Sequence, residues 1–355
     1  MKWNYKHLAA ASLVPQIILV KLLGSRPDWI ERYYSQGLYP YISSLSRTLS
    51  GWLPFSVGDM LYAFFIGLIL WRLVKHRKKI RKNLLGLGRD VLALLAAVYF
   101  CFHLLWGFNY YRQPIAEKMD IAETSEHSDL IALSEQLIVK TNTLQLALTQ
   151  DSTKKVVTPY TKREIYEMSA AGYEALQKRY PFLAYGKPSI KSSLFSLGLS
   201  YSGYGGYLNP FTNEAQVNGR IPNFRTPITT THEMGHQIGY AAENETNFVG
   251  YLAARAHPDP YFRYSAHAFA LGYCLGTLQR KDPEAFKKLL PKLNAGVRAN
   301  FKEVSDFWAQ YENPAEPYLK KIYSTFLKAN NQKKGILSYR SVVGLLVAYH
   351  KKHPV

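Results

Sequence analysis

Residues 91–108, VLALLAAVYFCFHLLWGF, run for eighteen positions with no formal charge and one histidine. As a helix the run covers roughly 27 Å at 1.5 Å per residue, close to the roughly 30 Å hydrocarbon core of a bilayer. In lipid a backbone must satisfy its own hydrogen bonds, so the run reads as a transmembrane helix and the rest of the chain has to be arranged around a membrane. A second run, LPFSVGDMLYAFFIGLILWRLV (53–74), carries Asp59 and Arg72 only near its ends, where charged groups reach the headgroups. Residues 8–23, LAAASLVPQIILVKLL, are interrupted by Pro15, Gln16 and Lys21, and a signal peptide is the competing reading. No small-x-small cleavage pattern follows, so an uncleaved third span is expected.

Between the two stronger spans lies KHRKKIRKNLLGLGR (75–89), which with Arg72 gathers eight Lys and Arg residues. The positive-inside bias puts this loop in the cytoplasm. The N-terminus, with Lys2 and Lys6, then lies on the same side, and Asn109 to Val355 lie outside the cytoplasmic (inner) membrane. The net charge of +19 raises the question of a nucleic-acid partner. A basic segment tethered at both ends to apolar spans argues against one. The expected organisation is a multi-pass anchor over 1–108 and an extracytoplasmic domain over 109–355. Residues 25–52, rich in Tyr, Trp and Ser, read as an outer loop lying along the membrane interface. Cys101 and Cys274 are too few for a disulfide framework or a thiolate metal site. Nothing in the sequence fixes an oligomeric state.

Apolar spacing, caps and prolines predict helices in the outer domain near 128–149, 159–180, 259–281, 295–311, 317–329 and 338–351. Strand character is confined to about 188–218. The fold class is therefore mainly α, three transmembrane helices followed by an α+β domain with a small sheet. Within it, TTTHEMGHQIGYAAENETNF (229–248) places His232 and His236 four residues apart, on one face of a helix and about one turn from each other. Thr226 is suited to cap that helix, Pro227 to open it and Gly239 to end it in a left-handed turn. Two imidazoles so placed converge on one Zn2+ ion, and Glu233 beside them is positioned to take a proton from zinc-bound water.

The third ligand is less sharply marked. Six residues past His236, where a metzincin would carry another histidine, stands Ala242. A gluzincin instead takes a glutamate from the next helix, often with an acid or amide four residues on. Glu243 with Asn247 has that spacing and is favoured, and Glu245 is its rival, in the first turn of the next helix. Tyr264 and His267, on the helix after that, are candidates to stabilise an oxyanion. Residues 213–218 read either as an edge strand that pairs with substrate or as a core strand, and the glycines of 198–207 as a lid or a plain hairpin.

PFSVGDMLY, WGFNYYR, YLNPFTNEAQVN, HEMGHQIGYAAENETNF, YSAHAFALGY and FLKANNQKKGILSYRSVVGLLVAY together span nearly the whole chain. In these stretches the chain resembles an uncharacterised bacterial family, a domain of unknown function, of membrane-anchored zincin-like proteins with an HExxH motif. The resemblance implies a zincin-like metallopeptidase domain outside the cytoplasmic membrane, acting on a peptide or protein. It does not choose between Glu243 and Glu245. The alternative is a non-catalytic zinc-binding domain that holds peptide or envelope components; Glu233, which is not needed to grip metal, weighs against it.

Overall fold

The computed structural model describes residues 4–121 and 126–355; Lys2, used above for orientation, lies outside the described residues. Among the described residues three helices are long and apolar enough to cross a membrane: α1 (Tyr5–Gly24), α3 (Val57–Lys75) and α4 (Leu84–Leu105). They match the three expected spans, with α4 beginning earlier and ending earlier than the apolar run suggested. Pro15 sits inside α1 without ending it. Cys101 is exposed on α4, and Cys274 is buried in the C-terminal domain.

All three spans meet the rest of the protein at one end. Gly24, closing α1, lies against the Tyr111 ring. Trp106, just past α4, donates from its indole nitrogen to His236 O at 3.1 Å. The N-terminus of α3 offers the amides of Val57 and Gly58 to the Glu214 carboxylate at 3.1 and 2.5 Å. An acid there satisfies orphan N–H groups and complements the helix dipole. The basic segment 75–89 consequently lies at the far end of the spans, where Lys6 pairs with Asp90 at 2.8 Å.

Two expectations change here. Asp59 is not turned toward headgroups: it is fully buried and accepts from Ser193 Oγ at 2.9 Å, from the Leu194 amide at 2.6 Å and from the Tyr207 hydroxyl. Residues 25–52 are not a loop on the interface. They form a short wide-turn helix, Ile30–Leu38, and then α2 (Tyr39–Ser50). Trp29, Tyr33, Tyr41 and Trp52 do stay exposed, but Tyr39, Ser43 and Ser50 bond to residues of the C-terminal domain. The packing therefore crosses the expected division at residue 108.

The domain that follows the apolar helices is mainly helical. Its core joins α5 (His127–Thr149), α6 (Thr226–Gln237), α7 (Glu243–Ala256), α8 (Pro260–Lys281), α9 (Ala295–Ala309) and α10 (Val342–Lys352) to shorter helices between them, while the helix Glu316–Ala329 buries Leu327 in a second cluster with Val20, Tyr39 and Trp106. Leu137, Phe248, Leu271 and Leu346 are each fully buried in one cluster. The sheet has three strands, β1 (Ile190–Ser192), β2 (Gly206–Leu208) and β3 (Ala215–Val217), in the order β1-β3-β2. Strand β3 runs parallel to β1, with Ile190 opposite Ala215, and antiparallel to β2, with Tyr207 opposite Gln216. The 213–218 segment is thus the buried centre of the sheet rather than an edge, and β2 is an outer strand. Within 198–207 a helix, Ser196–Ser202, ends at Gly203 with φ +76 and leads into β2, which pairs antiparallel with β3.

Candidate metal centre

Helix α6 begins at Thr226, directly after a tight Asn223–Arg225 turn. Thr226 is already helical, so it does not cap; its hydroxyl accepts from Lys162 Nζ at 3.0 Å instead. The other end follows the sequence reading, since Gly239 has φ +86 and turns the chain back toward α7. The last carbonyls of α6 are buried and need donors. Tyr39 donates to Gln237 O at 2.8 Å, Trp106 to His236 O, and Arg112 to Gly239 O at 2.8 Å. Segments flanking the membrane spans therefore hold the C-terminal turn that carries His236.

Glycines bring α7 against α6. A Cβ on Gly250 would lie 2.8 Å from the backbone N and Cα of His232, and one on Gly235 would lie 2.9 Å from Thr246 Cγ2. This close approach places Glu243, in the first turn of α7, opposite the two histidines. Glu243 Oε2 lies 3.5 Å from His232 Nε2 and 3.6 Å from His236 Nε2. Those separations are long for hydrogen bonds. They suit two nitrogens and an oxygen around one ion, because tetrahedral bonds of about 2.1 Å separate ligand atoms by roughly 3.4 Å. The imidazole rings stand 4.8 Å apart at 88°. Nδ1 of His236 donates to Tyr240 O at 2.7 Å, which leaves its Nε2 lone pair facing the site. Glu243 Oε1 accepts from the Tyr323 hydroxyl at 2.9 Å. Glu245 points elsewhere: its Oε1 accepts from the Ile115 amide at 2.8 Å.

His232, Glu233 and His236 bring ligand atoms within 4.8 Å of one another, a cluster that could hold a metal ion. Glu233 Oε2 and Glu243 Oε2 are buried with no hydrogen-bond partner, as expected of oxygens whose partner is an ion or its water. Burial pushes the Glu233 carboxyl up to about 8, against the opposing pull of His236. For Glu243 burial acts in the same direction, but the two imidazoles overcome it and hold the carboxyl well below the usual range. The acids of the site are thus driven apart, one able to carry a proton and one fixed as an anion. A Cβ on Gly206 would lie 2.5 Å from Glu233 Oε1, so β2 presses its backbone directly on that carboxylate.

The site opens on a cavity of about 1190 Å³ that His232, Glu233, His236, Glu243 and Asn247 all line. Tyr264 and His267 do not line it. Tyr264 is fully buried in the core and donates to Asn300 Oδ1 at 2.8 Å, while His267 packs edge-on against Tyr251 at 6.1 Å. Both lie on the core side of α8. The cavity instead presents Tyr204, whose hydroxyl is buried without a partner, together with Tyr323, Tyr339, Arg225 and Arg340. Tyr204 lies among the glycines of 198–207, a segment sequence reasoning had marked. Tyr339 and Arg340 lie at the start of the helix expected near 338–351 but stand in a 3-10 turn, Gly335–Ser341.

A family model described as "Protein of unknown function (DUF3810)" matches residues 34–347. No curated protein and no solved structure matches the chain.

Proposed function

Because the chain belongs to that family, whose function is unknown, its activity has to be read from the site, and we propose a membrane-anchored zinc-dependent hydrolase that cleaves peptide bonds outside the cytoplasmic membrane. One observation carries the reading: Glu243 Oε2 faces both imidazole Nε2 atoms at 3.5 and 3.6 Å while Glu233 stands beside them with an unpaired buried oxygen. Two imidazoles and one carboxylate leave a fourth position open, the donor set of a catalytic rather than a structural zinc site. In such a set His232, His236 and Glu243 hold the ion. When bound, zinc supplies the charge that acidifies a water and polarises a scissile carbonyl.

The remaining steps fall to side chains. Glu233 Oε2 takes a proton from the attacking water and returns it to the leaving nitrogen, a shuttle suited to a carboxyl with a pKa raised to about 8. The Tyr204 hydroxyl, unpartnered and facing the cavity, donates to the oxyanion. Tyr323 holds Glu243 through its second oxygen. Strand β2, an outer strand beside Glu233, offers backbone to an extended substrate. The extracytoplasmic placement is supported by the basic segment 75–89, which lies at the end of the spans remote from the site.

The test is metal content and peptidase activity of the full chain beside Glu233→Gln. Zinc at one equivalent in both proteins, with turnover lost in the variant by roughly 10²-fold or more, supports the reading. Unchanged turnover removes the mechanism, and zinc without turnover in either protein favours a binding role.

A further inference from the structure

The cavity at the metal centre does not end at the outer domain. Its wall continues along Leu13 of α1, Tyr62 of α3, and Leu95, Val98 and Phe102 of α4. Leu13 is eleven residues before the end of α1 and Leu95 ten before the end of α4. At 1.5 Å per residue each lies roughly 15 Å from the end that carries the site, near the midpoint of a hydrocarbon core. Helices α1 and α4 pack along each other, and no packing of comparable extent joins α3 to either. One continuous space therefore runs from Glu233 into the depth of the spans.

The two ends of this space differ in chemistry. The deep end is lined by aliphatic and aromatic side chains of the spans. The lining also includes Arg225, whose guanidinium lies 5.2 Å over the Phe269 ring, and Arg340, which is exposed, and among the described residues neither forms an ion pair. A Tyr62 ring stacked near Tyr207 at 6.4 Å marks the passage between the ends. An occupant that matches both has an apolar tail, an anionic group and, at the metal centre, the bond to be cut. A fatty-acyl chain joined to an acidic peptide carries all three, the tail for the aliphatic and aromatic lining, the anionic group and an amide, and a membrane-spanning helix is the rival occupant that the experiment below separates from it.

We propose that the cleft takes an acidic peptide bearing a fatty-acyl chain, the chain lying between α3 and the α1–α4 pair, the anionic group at Arg225 and Arg340, and the scissile amide at Glu233. This rests on the hydrolase reading only for what happens to the amide; the binding site stands apart from it. The occupant is drawn from the membrane, which explains why the site is built onto the ends of the spans.

The experiment uses the full chain carrying Glu233→Gln, in nanodiscs, with a photoreactive diazirine at the end of a palmitoyl chain attached to a glutamate-rich hexapeptide. Light is expected to attach the probe to residues near Leu13, Tyr62 and Val98. Unlabelled N-palmitoyl hexapeptide should displace it, and the unacylated hexapeptide at the same concentration should not. Leu95→Trp, and separately Val98→Trp, should reduce labelling at least tenfold with zinc content unchanged, the zinc reporting that each variant has folded. Arg225→Gln and Arg340→Gln should weaken competition by the acidic peptide more than by one with neutral side chains. Labelling that the acylated peptide does not displace identifies bulk lipid and overturns the proposal; displacement by a single-span helical peptide but not by the acylated one overturns it in favour of a protein helix. Because binding is read without turnover, a wild-type protein that binds the probe and cuts nothing refutes the hydrolase reading alone, and one that cuts soluble peptides without binding the probe refutes the acyl-chain site alone.

Discussion

Glu243 and Glu245 stand two residues apart in the first turn of one helix, yet they do different work. Glu243 faces the histidine pair, and Glu245 accepts from the Ile115 amide. Helical geometry separates them, since residues two apart point about 200° from each other. Glu243→Ala should therefore lower zinc affinity by roughly 100-fold or more, as read by competition with a chelating dye. Glu245→Ala should keep its zinc but lose about 1–3 kcal/mol of stability in thermal unfolding, because a buried amide is left unpaired. Zinc loss in the second variant rather than the first would reverse the assignment. Tyr204 and Tyr264 separate in the same way: Tyr204→Phe should slow turnover with stability intact, and Tyr264→Phe, which breaks the bond to Asn300, should do the opposite. The histidines and Glu233 were legible in the sequence because a five-residue helical spacing fixes them. Tyr204, Tyr339 and Arg340 were not, since they reach the cavity from segments distant in sequence and carry no spacing signal.

Helices α6 and α7 meet where glycine removes the side chain between them. Gly250→Ala would place a Cβ within 2.8 Å of His232 backbone, so α7 must move and carry Glu243 with it. The expected result is weaker zinc binding and a lowered unfolding temperature together, measured on the same preparation. Gly206→Ala meets Glu233 Oε1 at 2.5 Å and Gln216 O at 2.6 Å, and should depress turnover while zinc is retained. At this scale the sequence was most readable where periodicity is long: the helices expected near 128–149 and 259–281 are found as His127–Thr149 and Pro260–Lys281. It was least readable in 188–218, where three strands of three residues and one short helix share a segment too brief for any period to show. Whether Asn213 to Asn218 lay at an edge or a centre depends on β1 and β2, which only the assembled sheet orders.

Across the whole molecule, the apolar helices and the domain that follows them are one packed unit. Glu31, on the wide-turn helix after α1, is nearly fully buried and pairs with Arg112 at 2.9 Å and with Lys118. Burial alone would raise its carboxyl; the two cations overcome this and hold it near 2. A carboxyl depressed in the folded state stabilises the protein above its unfolded pKa of about 4.3, and the contribution is lost as the pH falls from there toward 2. The unfolding temperature should accordingly fall over that window in the wild type, and Glu31→Gln should start lower at neutral pH and fall less. Truncation at residue 109 removes Glu31, Tyr39 and Trp106, and with them two of the donors to the last turn of α6. Residues 109–355 alone should thus bind zinc more weakly than the full chain, by equilibrium dialysis. Two of the apolar helices were plain in the sequence as long runs with charges only near their ends, and the first was legible by its length despite Pro15, Gln16 and Lys21, whereas the grip of the preceding segments on α6 depends on contacts between residues more than a hundred positions apart. The most direct test of the central claim is an anomalous difference map at the zinc edge from the zinc-loaded full chain. One peak within about 2.1 Å of His232 Nε2, His236 Nε2 and Glu243 Oε2 is the predicted result; no peak there, or a peak held by Glu245, would contradict it.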